Sequence, residues 1–157
     1  MRQLLGLAGV VSLLAVLGLA APAAAAPATV TGLMCATADT NLCIGSSISG
    51  RGAAVYSTDA AHARKFNFPG PGAQSSLNFT ADSVFCLRAP GGNSDNVIVG
   101  EQNDAGTIFV WQNASNGGHY FYNPHTGLYL GVTGPDGSTV AVVPKGEFGW
   151  DLRFNGP

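Results

Sequence analysis

One segment of this sequence returns twice at a constant step. Thr37-Ala38-Asp39-Thr40 followed by Leu42-Cys43-Ile44 recurs as Thr80-Ala81-Asp82-Ser83 followed by Phe85-Cys86-Leu87, a step of 43 residues from Cys43 to Cys86. A further step reaches Asn123-Pro124-His125-Thr126 and then Leu128-Tyr129-Leu130, again a turn before an apolar alternation. Taken without a gap, this register stacks large apolar residues in threes: Met34/Leu77/Tyr120, Leu42/Phe85/Leu128, Ile44/Leu87/Leu130, Phe66/Phe109/Leu152 and Phe68/Trp111/Phe154. Such a repeat limits the fold strongly, because one unit cannot bury its own apolar face and needs its neighbours to do so.

The units read as β-structure. The chain has 22 Gly among 157 residues, and its short apolar runs are broken by Gly, Asn, Asp, Ser and Pro. No window sustains a 3.6-residue period, so the class is all-β. The runs 53–56, 97–99 and 140–143 are apolar on both alternations, which leaves their inward face unassigned. About four short strands per unit, in three 43-residue pseudo-repeats, predict a β-trefoil, whose units close a barrel around an axis and leave no long edge. A three-bladed propeller is the architectural rival, but propellers normally use four or more blades.

The first 25 residues read as a secretory signal peptide. Arg2 supplies the basic start, residues 4–20 the apolar run, and Ala23-Ala24-Ala25 an A-x-A cleavage site before Ala26-Pro27. The alternative is an uncleaved anchor, since the run sits near the lower limit of a bilayer span. Cleavage leaves residues 26–157 as a single domain, secreted and extracellular. The whole chain has a net charge of −2, from 7 Lys and Arg against 9 Asp and Glu. Losing Arg2 makes it one unit more negative. With no basic stripe, nucleic acid and anionic membrane are poor partners. The Ala-rich leader and few Lys fit a bacterial source, so the sequons at Asn78 and Asn113 are not expected to carry sugar.

Period-2 alternation sorts the cysteines. If Met34, Ala36, Leu42 and Ile44 face the core, Cys35 and Cys43 point away from it. A hairpin turning about Asp39 places 35 opposite 43, close enough for a cross-strand bond in an oxidising compartment. Cys86 would then be a free thiol. A Cys43–Cys86 bond is the alternative.

The second unit carries a resemblance. Phe85-Cys86-Leu87-Arg88-Ala89-Pro90-Gly91-Gly92, then Val97-Ile98-Val99, Glu101-Gln102-Asn103 and Phe109-Val110-Trp111 resemble the ricin B-type series C-L-D-x-x-G-G, V-x-L, N and Q-x-W. The third unit, with Thr126-Gly127-Leu128-Tyr129-Leu130-Gly131, Trp150 and Phe154, is more similar to fascin-like modules. Over essentially the whole mature chain the resemblance implies a β-trefoil, a fold that hosts lectins, protease inhibitors and actin bundlers alike. Departures are specific. The Asp that holds sugar hydroxyls in ricin-type sites is replaced by Gly45, Arg88 and Gly131, and the Gln of Q-x-W by Phe66, Phe109 and Leu152.

Two sets of residues remain as ligand-binding candidates. Arg88, Asp95, Asn96, Gln102 and Asn103 surround Gly91-Gly92 in the second unit and carry the donors and acceptors that recognise hydroxyls or a carboxylate; the bland reading is a solvated loop. Tyr129, with Phe121 on the outer face of the third hairpin, offers rings for stacking; the bland reading is a cross-strand aromatic pair. No catalytic constellation is found. His62, His119 and His125 are scattered without metal-site spacing, Gly45-Ser46-Ser47-Ile48-Ser49 does not complete a G-x-S-x-G elbow, and the carboxylates lie mostly in turns. No enzyme, metal or cofactor is expected.

Three functions are consistent with these residues. The first is a secreted, monomeric, non-catalytic module that binds glycan weakly. The second is a protease inhibitor presenting Arg51 from Ser49-Gly50-Arg51-Gly52 or Lys145 from Val143-Pro144-Lys145-Gly146. The third is a cell-envelope module whose partner is an extracellular protein.

Overall fold

The computed structural model describes residues 29–39, 42–47, 50–115, 117–145 and 149–154. The leader read at residues 1–25 lies outside them. All regular structure among the described residues is β-strand, and every pairing between strands is antiparallel.

The first unit holds β1 (Val30–Ala36), β2 (Cys43–Ser46), β3 (Val55–Thr58) and β4 (Lys65–Phe68). In the second, β5 (Gln74–Ser76) and β6 (Asn78–Phe79) are separated only by Leu77 and precede β7 (Phe85–Arg88), β8 (Ile98–Glu101) and β9 (Ile108–Asn113). The third holds β10 (His119–Asn123), β11 (Leu128–Val132), β12 (Val140–Val143) and β13 (Trp150–Phe154).

The pairings close on themselves. β1 joins β4, β4 joins β6, its continuation β5 joins β9, β9 joins β10, β10 joins β13, and β13 returns to β1. A closed ring removes the unpaired edge that an open sheet would expose. Each unit also projects a hairpin, β2–β3, β7–β8 and β11–β12. These hairpins meet pairwise through the bridges Ala54 to Ile98, Asn96 to Ala141 and Tyr56 to Thr139. The 43-residue step thus has a physical counterpart, since three similar hairpins cover one another's backbone groups.

Side chains of all three units fill one core. Met34, Ile44, Phe66, Phe68, Leu77, Phe79, Leu87, Phe109, Trp111, Phe121, Leu130 and Trp150 are buried in it. The runs with no assigned face now have one: Val55, Val97, Val99, Val140 and Val142 point inward. Leu42, Phe85 and Leu128 pack against the cluster while only partly buried. Leu152 and Phe154 pair through their backbones with β1, and their side chains are outside the described set.

The disulfide joins Cys35 to Cys43 across the first hairpin. Both cysteines are fully buried, though outside the apolar cluster. Cys86 is a free, buried thiol opposite Asn78.

The third unit departs from the gapless register. Steps of 43 residues from the Cys35–Cys43 and Asn78–Cys86 pairs lead to Phe121 opposite Tyr129, but the observed partner of Tyr129 is Tyr122. This hairpin is one residue shorter. Asn123 closes it, donating from Nδ2 to the carbonyls of Gly106 and Ile108 at 2.9 and 3.0 Å and accepting at Oδ1 from the Thr126 N–H. A one-residue slip reverses the faces of a strand. Phe121 is therefore buried instead of lying on the outer face, and Tyr120 leaves the core position expected for it.

Candidate functional site

The second-unit candidates do not form one cluster. Asp95 and Asn96 are exposed and lie at the junction with the third hairpin, where the Asp95 carbonyl accepts from the Val142 N–H at 2.8 Å and Asn96 bridges to Ala141. Gln102 and Asn103 follow β8 in the loop 101–107, at the far end of the hairpin, and Arg88, opposite Ile98 beside the turn, extends its side chain to that loop, where it meets Ala105.

That loop is held by its own polar groups. Asp104 accepts from the Glu101 N–H at 3.1 Å, and Thr107 Oγ1 donates to the carbonyls of Gln102 and Asp104 at 3.0 and 2.8 Å. Arg51 closes a two-pronged ion pair on Asp104, with Nε 2.8 Å from one carboxylate oxygen and a terminal nitrogen on the other. The Glu101 N–H and then Arg51 hold the Asp104 carboxyl below its ordinary range against the opposing effect of desolvation, with Arg88 adding to the lowering. Arg88 lays its stem across Gly100, where a Cβ would come within 2.7 Å of Arg88 Cβ, and donates from Nε to the Ala105 carbonyl at 3.0 Å. Gln102 donates to the Ser83 carbonyl at 3.1 Å. Asn103 is exposed and makes no side-chain hydrogen bond with the described residues.

The loop must also pass very close to β7. Gly106 sits at φ +84°, and a Cβ there would lie 1.9 Å from the Ala89 carbonyl oxygen. Glycine alone satisfies both conditions.

Tyr129 stands in a different setting. Directly opposed residues of an antiparallel ladder share a face. The pairings Gln74 to Val110, Val110 to Tyr122, Tyr122 to Tyr129 and Tyr129 to Val143 therefore draw one row across five adjacent strands. Gln74 is exposed and the other four are half-buried, so the row faces outward. Tyr120, two residues before Tyr122, points the same way opposite Gln112. The Tyr129 ring meets Tyr122 at 5.1 Å and Tyr120 edge-on at 6.0 Å between centroids. Lys145 Nζ lies 5.5 Å from the Tyr120 centroid and 5.6 Å from that of Tyr129, a cation over two negative ring faces. Among the described residues no hydrogen bond engages the three phenol hydroxyls and no carboxylate pairs with Lys145. The result is an outward platform of rings, hydroxyls and one ammonium.

Sequence reasoning found Tyr129 and missed Tyr120, Tyr122 and Lys145 as its companions. A signal was present in His119-Tyr120-Phe121-Tyr122-Asn123, where the wholly apolar ring lies between two that carry hydroxyls. Burying Phe121 places both tyrosines outside.

The remaining candidates are dispersed. His62 Nδ1 pairs with Asp59 at 2.8 Å, His119 Nδ1 accepts from the Trp111 indole N–H at 2.9 Å, and His125 Nε2 donates to the Pro90 carbonyl at 3.1 Å. Among the described residues no three of His, Cys, Asp and Glu gather as a metal-binding set. Cys86 Sγ contacts the Gly100 carbonyl at 3.6 Å, and burial, aided by Asp104, pushes its pKa up to about 12. Such a thiol is a poor nucleophile. Of the two loops considered for protease inhibition, Ser49 and Gly146 lie outside the described residues. Arg51 is ion-paired to Asp104 and Lys145 is held over the tyrosine rings.

No protein-family model matches this chain, and no curated protein does. Among solved structures there is a clear likeness. The chain shares its fold with part of a mosquitocidal holotoxin. The superposition has a TM-score of 0.70 at 11% sequence identity and covers 80% of this chain. It takes in only 17% of the toxin chain. At that identity the likeness concerns the backbone architecture and carries no side-chain role across.

Proposed function

We propose that the chain is a secreted, non-catalytic β-trefoil module that binds carbohydrate weakly through the tyrosine platform of its third unit. The trefoil reading rests on the closed ring of pairings, the three mutually bridged hairpins and the 43-residue step. Secretion rests on the leader pattern and on a disulfide, a bond that persists in oxidising compartments. A fold that elsewhere takes up 17% of a toxin chain is in keeping with a recognition module used beside other domains.

The observation that carries the ligand class is the set of half-exposed Tyr120, Tyr122 and Tyr129, whose hydroxyls make no hydrogen bond among the described residues. A sugar ring has an apolar face of C–H groups, slightly positive, that lies well on the negative face of an aromatic ring. Its rim of hydroxyls can meet the phenol O–H groups, which both donate and accept. The platform is shallow, so much of a bound sugar stays hydrated and the affinity is low. The ricin-type positions contribute nothing comparable, since Gly45 and Gly131 lack side-chain acceptors and Arg88 is engaged with Ala105.

The test is an array of bacterial and plant glycans, with insoluble polysaccharides alongside, probed with the oxidised protein and with two variants. The expected result is binding to one glycan class, competed by soluble sugar and reduced about ten-fold by Tyr129→Ala, the scale of one stacked ring contact with its hydroxyl bond. Arg88→Ala with Asn103→Ala leaves that binding unchanged. Loss of binding in the Arg88/Asn103 pair, with Tyr129→Ala unaffected, would return the site to the second unit.

A further inference from the structure

We infer that the platform selects acidic saccharides, with a sugar ring against the tyrosines and its carboxylate held by Lys145; this rests on the carbohydrate reading above. Lys145 is exposed, yet its ammonium is held over both Tyr120 and Tyr129 at 5.5 and 5.6 Å. Attraction to the two ring faces localises a side chain that would otherwise sample many rotamers, so the entropy cost of using it is partly met before a ligand arrives. The rings attract the ammonium's charge, and the N–H donors turned away from them stay available. Those donors have no carboxylate partner among the described residues.

Lys145 Nζ lies 5.6 Å from the Tyr129 centroid, so the substituents of a saccharide lying against the tyrosines come within its reach. The other basic side chain considered near a loop, Arg51, is already neutralised by Asp104. Lys145 is thus a cation both placed beside an exposed aromatic surface and left unpaired by the described carboxylates. In a chain of net charge −2 a local positive site is a point of selectivity for an anion and gives no general affinity for polyanions.

The probes are hexagalacturonate and its fully methyl-esterified form, which share ring, linkage and length and differ in charge. Both are titrated against the protein expressed from its full chain, and against Lys145→Ala and Tyr129→Ala. The acid is expected to bind about ten-fold more tightly than the ester, the scale of one charge-assisted hydrogen bond. Lys145→Ala should lower affinity for the acid to that for the ester and leave the ester unaffected, whereas Tyr129→Ala should weaken both. The preference for the acid should also shrink as salt is raised.

Equal binding of acid and ester, or an acid preference that survives Lys145→Ala, overturns the inference and leaves carbohydrate binding standing. So does failure of both probes when a neutral glycan on the array is bound through Tyr129. Failure of both probes together with an empty array overturns the inference and the carbohydrate reading at once.

Discussion

The loop 101–107 and the outer face of β10 and β11 are opposites in how they use polar groups. In the loop, Asp104, Thr107, Gln102 and Arg88 are drawn into contacts with backbone or with Arg51. On the face, three tyrosines and a lysine touch chiefly one another, and among the described residues no hydroxyl of the three is hydrogen-bonded and no carboxylate pairs with the lysine. A run of Glu, Gln, Asn and Asp looks like a binding site in one dimension, but a loop without ladder hydrogen bonds needs those groups for itself. Aromatic residues look like core, yet a strand has two faces and only one is inside.

Substitutions can break this contrast, and the largest effect is expected where the loop has no spare room. Gly106→Ala should destabilise the protein by about 3 kcal/mol or more, through an unfavourable φ and a clash with the Ala89 carbonyl. Urea denaturation measures it, and a loss below about 1 kcal/mol would mean that the loop moves aside easily.

Next comes Arg88→Ala, which removes the stem packed on Gly100 and the donor to Ala105. It should cost about 1 kcal/mol of stability while glycan binding stays as it was. The reverse outcome, binding lost at unchanged stability, would erase the distinction between the two regions.

A pH-dependent effect tests the buried end of the same hairpin. Because the folded-state pKa of Cys86 is raised from 9.0 to about 12, the unfolded chain ionises first as pH rises. Stability is then full below about pH 9 and declines between pH 9 and 12. Cys86→Ala should remove that part of the alkaline decline when melting temperatures of the two proteins are compared across this window. Identical slopes would mean that the thiol is better solvated than its burial suggests.

Much of the architecture was legible in one dimension. The β class, the repeated hairpins and the Cys35–Cys43 bond follow from spacing and alternation, and the pairing of Cys35 with Cys43 and of Asn78 with Cys86 matches the expected register. The third hairpin was misread by one residue because a fixed step of 43 residues cannot register a turn that Asn123 makes shorter. That deduction needs Gly106 and Ile108, whose carbonyls capture the Asn123 amide. The candidate site was half visible. The sequence points to Tyr129, but a fixed step pairs it with Phe121, and the slip that buries Phe121 is what brings Tyr122 and Tyr120 beside it.

Sequence alone determined the period and the strand character and made Cys35 opposite Cys43 the expected pairing, since these depend on local alternation and on a turn of set length. It determined as well that Gly45 and Gly131 offer no side chain to a ligand. Only tertiary structure decided which way β10 faces, because that depends on a hydrogen bond between units whose residues lie 15 to 17 apart. Tertiary structure also decided which polar groups remain available. Ser83 with Gln102 and Arg51 with Asp104 are partners brought together across 19 and 53 residues, beyond the reach of any local pattern.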